Sequence, residues 1–404
     1  MPRFRAAWVL PIASPPIRDG WVTVDRGRIV ACGDGVPDDR CETDLGHVAV
    51  LPGLVNAHTH LELSYLRGGI APTDDFVQWI REMVAARGRA PRVDVIQDGV
   101  VRAIDEATRC GTVLVGDISN TLASVGPLVD RSFAAVVFHE LLGFNAADPR
   151  QVVRQAIARM QRLGGDCVRV GLAAHAPYSV SPAVFREIAA ALGRGDVAAP
   201  CSIHLAESAA ESEFIATGGG PWRPLLEELR AWNPHWMPPG GSSVEYLEAL
   251  GTFEAPTLVV HAVHVSASDL RRLASRPVTV VTCPRSNRLT GAGTPPIGAF
   301  YASGVPVAVG TDSLATVPDL NLFFEIAAVR ALAPDVPASM ILASATLQGA
   351  RALGFDTEFG ALAPGRRASL LAVRVPSGID DVEEYLVSGV SPESLSWVAD
   401  TPRP

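Results

Sequence analysis

The sequence predicts an α/β protein: a (β/α)8 barrel with a small β-sandwich domain built from both chain termini. Three observations lead there. Eight short apolar runs recur from Val50 onward, each followed by a stretch with helical periodicity. The runs are dense in Val, Ile and Leu without polar alternation, as parallel strands buried on both faces require. The two ends of the chain read instead as short strands joined by Gly- and Asp-containing turns.

The runs are Val50–Ala57, Thr112–Asp117, Ala134–Glu140, Val168–His175, Cys201–Ala206, Thr257–Val263, Val278–Cys283 and Pro306–Thr311. Between them lie helical segments such as Ser181–Ala191, which Ser181-Pro182 opens as cap and first-turn residue, and Ala267–Arg276. Eight strand–helix units within 404 residues suit a barrel with an appendage. A doubly wound open sheet would carry a GxGxxG turn after its first strand, and Val55-Asn56-Ala57-His58 is not one. At the ends, Ala6–Pro11, Gly20–Asp25, Arg28–Gly33, Gly360–Val375 and Glu384–Val387 are expected as strands. The division this implies is a composite β domain of residues 1–50 and 356–404 around a barrel of 51–355. The segment Gly218–Ser243, rich in Gly, Pro and Trp, is either a cover over the barrel mouth or a passive insertion.

Composition narrows the chemistry. A formal charge of -9 argues against nucleic acid or an anionic membrane as the main partner. No apolar run approaches the ~20 residues that span a bilayer, and the first residues do not read as a secretory leader. Six scattered cysteines without a CxxC pair read as reduced thiols in a cytoplasmic protein. All 34 basic residues are arginine. Schiff-base chemistry through a lysine is therefore excluded, and so is a metal bridge through a carbamylated lysine.

Catalytic side chains in a barrel come from the C-terminal ends of its strands. There the sequence places His58-Thr59-His60, His175, His204-Leu205-Ala206-Glu207, His261 with His264, and Thr311-Asp312-Ser313. His58 and His60, at i and i+2 on a strand, project to the same side and can grip one ion. His204 and Asp312 would add a third nitrogen and an oxygen. Three histidines and a carboxylate suit one divalent metal, Zn or Fe(II), with a position left for water. Such a metal lowers the pKa of water toward ~7. Glu207 is expected to move a proton as general acid/base, and His261 to assist at the attacking oxygen. Any one of these residues alone reads more simply as a hydrogen-bonded histidine or a helix-start carboxylate; the set together does not.

Leu51-Pro52-Gly53-Leu54-Val55-Asn56-Ala57-His58-Thr59-His60, the His204/Glu207 pair, His261 and Gly310-Thr311-Asp312 resemble the amidohydrolase superfamily, in particular its adenosine-type deaminases and chlorohydrolases. The resemblance covers nearly the whole chain. It implies that His58, His60, His204 and Asp312 hold one metal and that Glu207 and His261 are catalytic. The absence of lysine agrees with the mononuclear branch. His58–Ser64, Val244–Gly251, Cys283–Asn287 and Gly310–Leu314 look like aminodeoxyfutalosine deaminases of menaquinone biosynthesis. Glu62 and Ser313 depart from the related S-adenosylhomocysteine deaminases, and both can hydrogen-bond a purine or ribose. His175 resembles a substrate-side histidine of this branch. Arg285 and Asn287 are candidates for substrate contact by position alone. His264 reads as a supporting residue, and His139-Glu140 are left without a role.

The expected reaction is hydrolytic deamination of a 6-aminopurine nucleoside. Rivals on the same site are deamination of S-adenosylhomocysteine, adenosine, guanine or cytosine, and hydrolytic dechlorination with release of chloride. A non-catalytic barrel serving as a binding subunit is the rival outside enzymology, and it sits poorly with six filled metal and catalytic positions. The cytidine-deaminase fold needs H-x-E and P-C-x-x-C, which the sequence lacks. Barrels with exposed helices often pair, which leaves a homodimer open.

Overall fold

The computed structural model describes residues 1–35, 42–89 and 92–398. The chain opens with β1 (Arg3–Val9), β2 (Ile17–Asp25), β3 (Arg28–Gly33), β4 (Glu42–Asp44) and β5 (Val48–Pro52). Eight strands follow: β6 (Leu54–Thr59), β7 (Thr112–Ser119), β8 (Ala134–Leu141), β9 (Val168–Ala174), β10 (Cys201–Leu205), β11 (Thr257–His261), β12 (Val278–Thr282) and β13 (Val307–Val309). The last two are β14 (Leu370–Arg374) and β15 (Leu395–Trp397).

Strands β6 to β13 lie side by side in chain order, each parallel to the next, with helices in the connections. This is the (β/α)8 architecture. Every residue of β6, β7 and β8 is buried, which explains why these runs show no polar alternation. The seam between β13 and β6 is closed by a few specific bonds. The Asp312 N–H donates to the His58 carbonyl at 3.0 Å. The Asn56 side chain donates to Thr311 Oγ1 at 2.8 Å and accepts from the Thr311 N–H at 3.0 Å. Backbones approach so closely here that a Cβ on Gly310 would lie 2.7 Å from the His58 carbonyl oxygen. Only glycine fits that position.

The termini form one seven-stranded sheet, ordered β15-β14-β5-β1-β2-β3 with β4 beside β1. β14 runs antiparallel to β5, setting Leu371 opposite Leu51, so the last part of the chain is tied to the first. The inner face buries Phe4, Val22, Val24, Ile29 and Leu370. The run read as one strand from Val50 divides at Gly53: its start belongs to this sheet and Leu54 begins the barrel. A Cβ on Gly53 would come within 2.1 Å of Val113, so the crossing from one sheet to the other needs glycine.

Glu384–Val387, expected as a strand, is the end of a helix, Val382–Val387. Asp381 caps it by accepting the Glu384 N–H, and Val382, Leu386 and Val387 are its buried residues. That i, i+4, i+5 spacing is helical, and the cap outweighs the local β-branched content. The three-residue strands β4 and β15 were not anticipated; runs so short have no readable period. Five cysteines (Cys32, Cys110, Cys167, Cys201, Cys283) are free thiols, and Cys41 lies outside the described residues. Among the described residues, no helix is long and apolar enough to cross a membrane.

Candidate active site

The polar residues at the strand ends converge at one mouth of the barrel. His58 ends in the β6 strand and His60 follows it, where the Leu61 N–H is pinned to Asp117 Oδ1 of β7 at 2.7 Å. β10 delivers His204. The ligand nitrogens of His58, His60 and His204 all lie within 4.8 Å of one another. Asp312, just past β13, brings Oδ1 to 3.5 Å from His60 Nε2 and 3.7 Å from His58 Nε2.

Whether these residues suit a metal can be asked of their unpaired atoms. Both ring nitrogens of His58 are buried with no hydrogen-bond partner, a condition that costs about 1–3 kcal/mol if nothing else satisfies it. His204 Nδ1 donates to the His175 carbonyl at 2.9 Å, and since a carbonyl only accepts, the lone pair is left on Nε2. Burial holds the imidazoles of His58, His60 and His204 below their usual basicity, in the neutral form that ligates. Burial would raise Asp312, but His60, His261 and the Ser286 hydroxyl hold its carboxyl below the ordinary value. The four residues fit one divalent ion. Glu140, His175 and His204 also cluster, but His204 Nδ1, which faces Glu140 at 3.6 Å, is already committed to the His175 carbonyl.

Opposite this cluster stand two groups suited to moving protons. Glu207 Oε1 lies 3.3 Å from His261 Nε2, and both side chains are almost fully buried. Burial, then the Asp312 and Glu211 carboxylates, pushes Glu207 well above the usual carboxyl range. Asn287 Nδ2 donates to His261 Nδ1 at 3.0 Å, which places the His261 proton on Nε2, toward Glu207. Backbone strain marks the same place. Ala206, His261, Ala262 and Asp312 have φ of 51°, 72°, 48° and 61°, a region costing roughly 1–3 kcal/mol per residue with a side chain.

The cavity between these groups holds about 90 Å³. Its floor is His60, His204, Glu207, His261 and Asp312; Glu140, His175, Tyr178 and Ser313 form part of the wall. His175 Nδ1 sits 2.6 Å from the Ser179 hydroxyl, and burial lowers its ring to about 4. The roof is the helix Phe76–Gly88, which turns Phe76, Trp79, Ile80, Met83 and Arg87 toward the site. Their i, i+3, i+4, i+7, i+11 spacing was present in the sequence, yet nothing there said that this stripe faces the chemistry rather than the core. The segment 218–243 stands one layer further out. Its Trp222 stacks on Tyr178 with centroids 3.5 Å apart, and none of its residues lines the cavity.

Several expected substrate contacts have other partners. Glu62 does not line the cavity: Oε1 accepts the Asn120 N–H, and Oε2 accepts from Ser119 Oγ, Thr121 Oγ1 and the Thr121 N–H. It anchors the 119–121 loop. Arg285 pairs in a fork with Asp319 and lies 3.6 Å from Glu325, facing a separate cavity of about 360 Å³. Asn287 reaches His261 and not the catalytic cavity. Ser313 and His175 do line it. Of the residues left without a role, Glu140 lines the wall and accepts from Asn120 Nδ2 at 2.7 Å. His139 does not reach the cavity, and His264 Nε2 donates to the Ala292 carbonyl at 2.7 Å. Sequence reasoning missed Ser286, whose hydroxyl donates to Asp312 Oδ2 at 2.5 Å.

Residues 49–391 match the family model described as "Amidohydrolase family". The chain is 35% identical over 325 residues to an aminodeoxyfutalosine deaminase of Deinococcus radiodurans, covering 77% of this chain and 74% of that one. It is 31% identical over 402 residues to a 5-methylthioadenosine/S-adenosylhomocysteine deaminase of Moorella thermoacetica, covering 94% and 88%. Its fold is similar to the crystal structure of an adenosine deaminase from Xanthomonas campestris with bound zinc, with a TM-score of 0.83, 25% identity and coverage of 99% and 92%. With the family model spanning most of its length, over the barrel and the strand ends just described, this chain belongs to the amidohydrolase family.

Proposed function

We propose that the chain is a metal-dependent hydrolytic deaminase of 6-aminopurine nucleosides, acting on 6-aminodeoxyfutalosine to give a futalosine-type product and ammonia in menaquinone biosynthesis. The observation that carries the reading is the Glu207–His261 pair, 3.3 Å apart, facing the His58/His60/His204/Asp312 cluster across a small buried cavity. The name of the D. radiodurans relative supports the substrate.

His58, His60, His204 and Asp312 would hold one divalent ion, zinc in the first instance, with Fe(II) accepting the same ligands. When bound, it supplies the acidity that makes water a nucleophile near neutral pH. Glu207, whose proton affinity burial raises, passes a proton to purine N1 as water oxygen adds to C6. His261, with its proton on Nε2, stabilises the developing charge on that oxygen. Collapse forms the C6 carbonyl, breaks the C6–N bond and releases the amino group as ammonia after it takes up a proton. One proton of the water replaces the one Glu207 gave to N1, and Glu207 carries the other to the leaving amino group, while His261, its Nδ1 taken by Asn287, keeps its Nε2 proton toward the oxygen. His175 and Ser313, which line the cavity, would hydrogen-bond the nucleoside.

A second reading is favoured by the greater span of the M. thermoacetica match: the preferred nucleoside would then be 5-methylthioadenosine or S-adenosylhomocysteine. Incubating metal-loaded protein separately with 6-aminodeoxyfutalosine, adenosine, 5-methylthioadenosine and S-adenosylhomocysteine, and following 6-aminopurine absorbance with released ammonia, separates the readings. The proposal expects the highest kcat/KM with 6-aminodeoxyfutalosine. A higher value with a sulfur-containing nucleoside replaces the substrate assignment, and no turnover of any removes the purine reading.

A further inference from the structure

The turn that leaves β10 holds a buried carboxylate that the proposed chemistry does not use. Glu211 has no exposed surface. It lies in the first turn of the helix Ala209–Thr217, which Ser208 caps by accepting the Glu211 N–H at 3.2 Å. Ser208-Ala-Ala-Glu211 therefore has the spacing of a capping box, in which the glutamate would accept the N–H of the cap residue itself. Glu211 does something else. Its Oε1 accepts the Ala206 N–H at 2.7 Å and its Oε2 accepts the Glu207 N–H at 3.1 Å.

Those two amides sit where the chain does something unusual. Along an extended strand, residues three apart point to opposite faces. His204 and Glu207 nonetheless face the same cavity. Ala206, between them, has φ of 51°, which L side chains rarely adopt and which persists only when the surroundings fix it. A carboxylate gripping two consecutive N–H groups through charge-assisted bonds is such a fixture.

We propose that Glu211 is the positioning residue for Glu207: its carboxylate clamps the Ala206 and Glu207 amides and thereby aims the Glu207 side chain at the cavity. The functional half of this rests on the proton-transfer role assigned to Glu207 above; the clamp itself does not.

The test compares wild type with Glu207→Gln, Glu211→Gln and the double variant, all metal-loaded. Hydrogen–deuterium exchange over residues 204–208 comes first because it needs no substrate. Glu211→Gln should speed exchange of the Ala206 and Glu207 amides at least ~10-fold by removing the carboxylate, with one metal still bound per chain. Unchanged exchange there overturns the clamp, whatever the substrate proves to be. In turnover, Glu211→Gln should lower kcat about 10–100-fold while KM moves far less. Added to Glu207→Gln, it should cost less than about twofold, because it acts through Glu207. A full additional loss in that background overturns the positioning role and makes Glu211 a general structural residue. Should Glu211→Gln not fold, Glu211→Asp keeps the charge but is one methylene short of spanning both amides; wild-type exchange and kcat in that variant would overturn the proposal.

Discussion

His58, Glu207 and Asp117 are all carboxylates or imidazoles buried away from water, yet each is satisfied differently. His58 has no protein partner for either ring nitrogen, Glu207 faces His261, and Asp117 accepts bonds from the Leu61 N–H and the Ser124 hydroxyl. Burial is the main cause that lifts Asp117 from 3.8 to about 8. In the unfolded chain it titrates near its ordinary value. Between pH ~4 and ~8 the native state therefore holds a proton that the unfolded state has lost, and stability falls as pH rises through that window. Asp117→Asn removes this dependence while leaving an acceptor for Leu61. Thermal midpoints of the two proteins should be similar near pH 4–5, with the variant gaining on wild type up to pH 8–9; a constant gap across that range would contradict the assignment. At this scale the sequence was legible where chemistry repeats at strand ends: His58, His60, His204, Glu207, His261 and Asp312 come together as expected from their positions. It was illegible where a residue's partner lies far along the chain. Nothing near Glu62 reveals that the 119–121 loop occupies both its oxygens, and nothing near Arg285 reveals Asp319 and Glu325.

Among the elements, the helix Phe76–Gly88 bears most directly on access to the site. It is capped by Asp75, which accepts the Val77 and Gln78 N–H groups, and it lays Phe76, Trp79, Ile80 and Met83 over the catalytic floor. Its side-chain polar ties to other elements include Arg81 with Glu228, and Arg87, which donates to Asn120 Oδ1 at 2.9 Å and lies 3.7 Å from Glu62. The 90 Å³ beneath it is well under the ~300–1,000 Å³ of ordinary ligand pockets. Room for a nucleoside is expected to come from movement of this helix, which lines the cavity opposite the hydrogen-bonded barrel strands. Hydrogen exchange in residues 76–88 should accordingly be faster in the free protein and slow on adding a nucleoside that is turned over. Exchange that is equally slow with and without nucleoside would contradict a moving roof. The barrel strands were readable because burial on both faces leaves an unbroken apolar run. The helix Val382–Val387 was misread because six residues carry less than two turns of period, and its cap, Asp381, lay just outside the window considered.

The whole molecule is organised around its seam. β6 and β13 are neighbours in the barrel although some 250 residues separate them, and the bonds joining them involve His58, Asn56, Thr311 and Asp312. The bonds that close the barrel therefore also place two of the proposed metal ligands, His58 and Asp312. Gly310→Ala tests that coupling: its Cβ would meet the His58 oxygen, Cβ and nitrogen at 2.7, 2.8 and 2.9 Å. The variant should lose about 1–3 kcal/mol of stability by overpacking and bind metal more weakly, because the displaced residue is one of the proposed ligands. Unchanged melting and metal content would show that the seam has more slack than these distances allow. The sheet from the termini was readable as hairpins, but its link to the barrel through a single glycine, Gly53, was not; an apolar run looks the same whether it serves one sheet or two.

In the proposed reaction, one metal held by His58, His60, His204 and Asp312, with Glu207 as proton carrier, would drive hydrolytic loss of an amino group. Ammonia released from 6-aminodeoxyfutalosine by metal-loaded wild type and by Glu207→Gln, at matched metal content, tests it most directly. Removing a general acid/base should lower kcat by about 10²–10⁴ while one equivalent of metal stays bound. Near-normal ammonia release by Glu207→Gln, or its failure to retain the metal, would contradict the account.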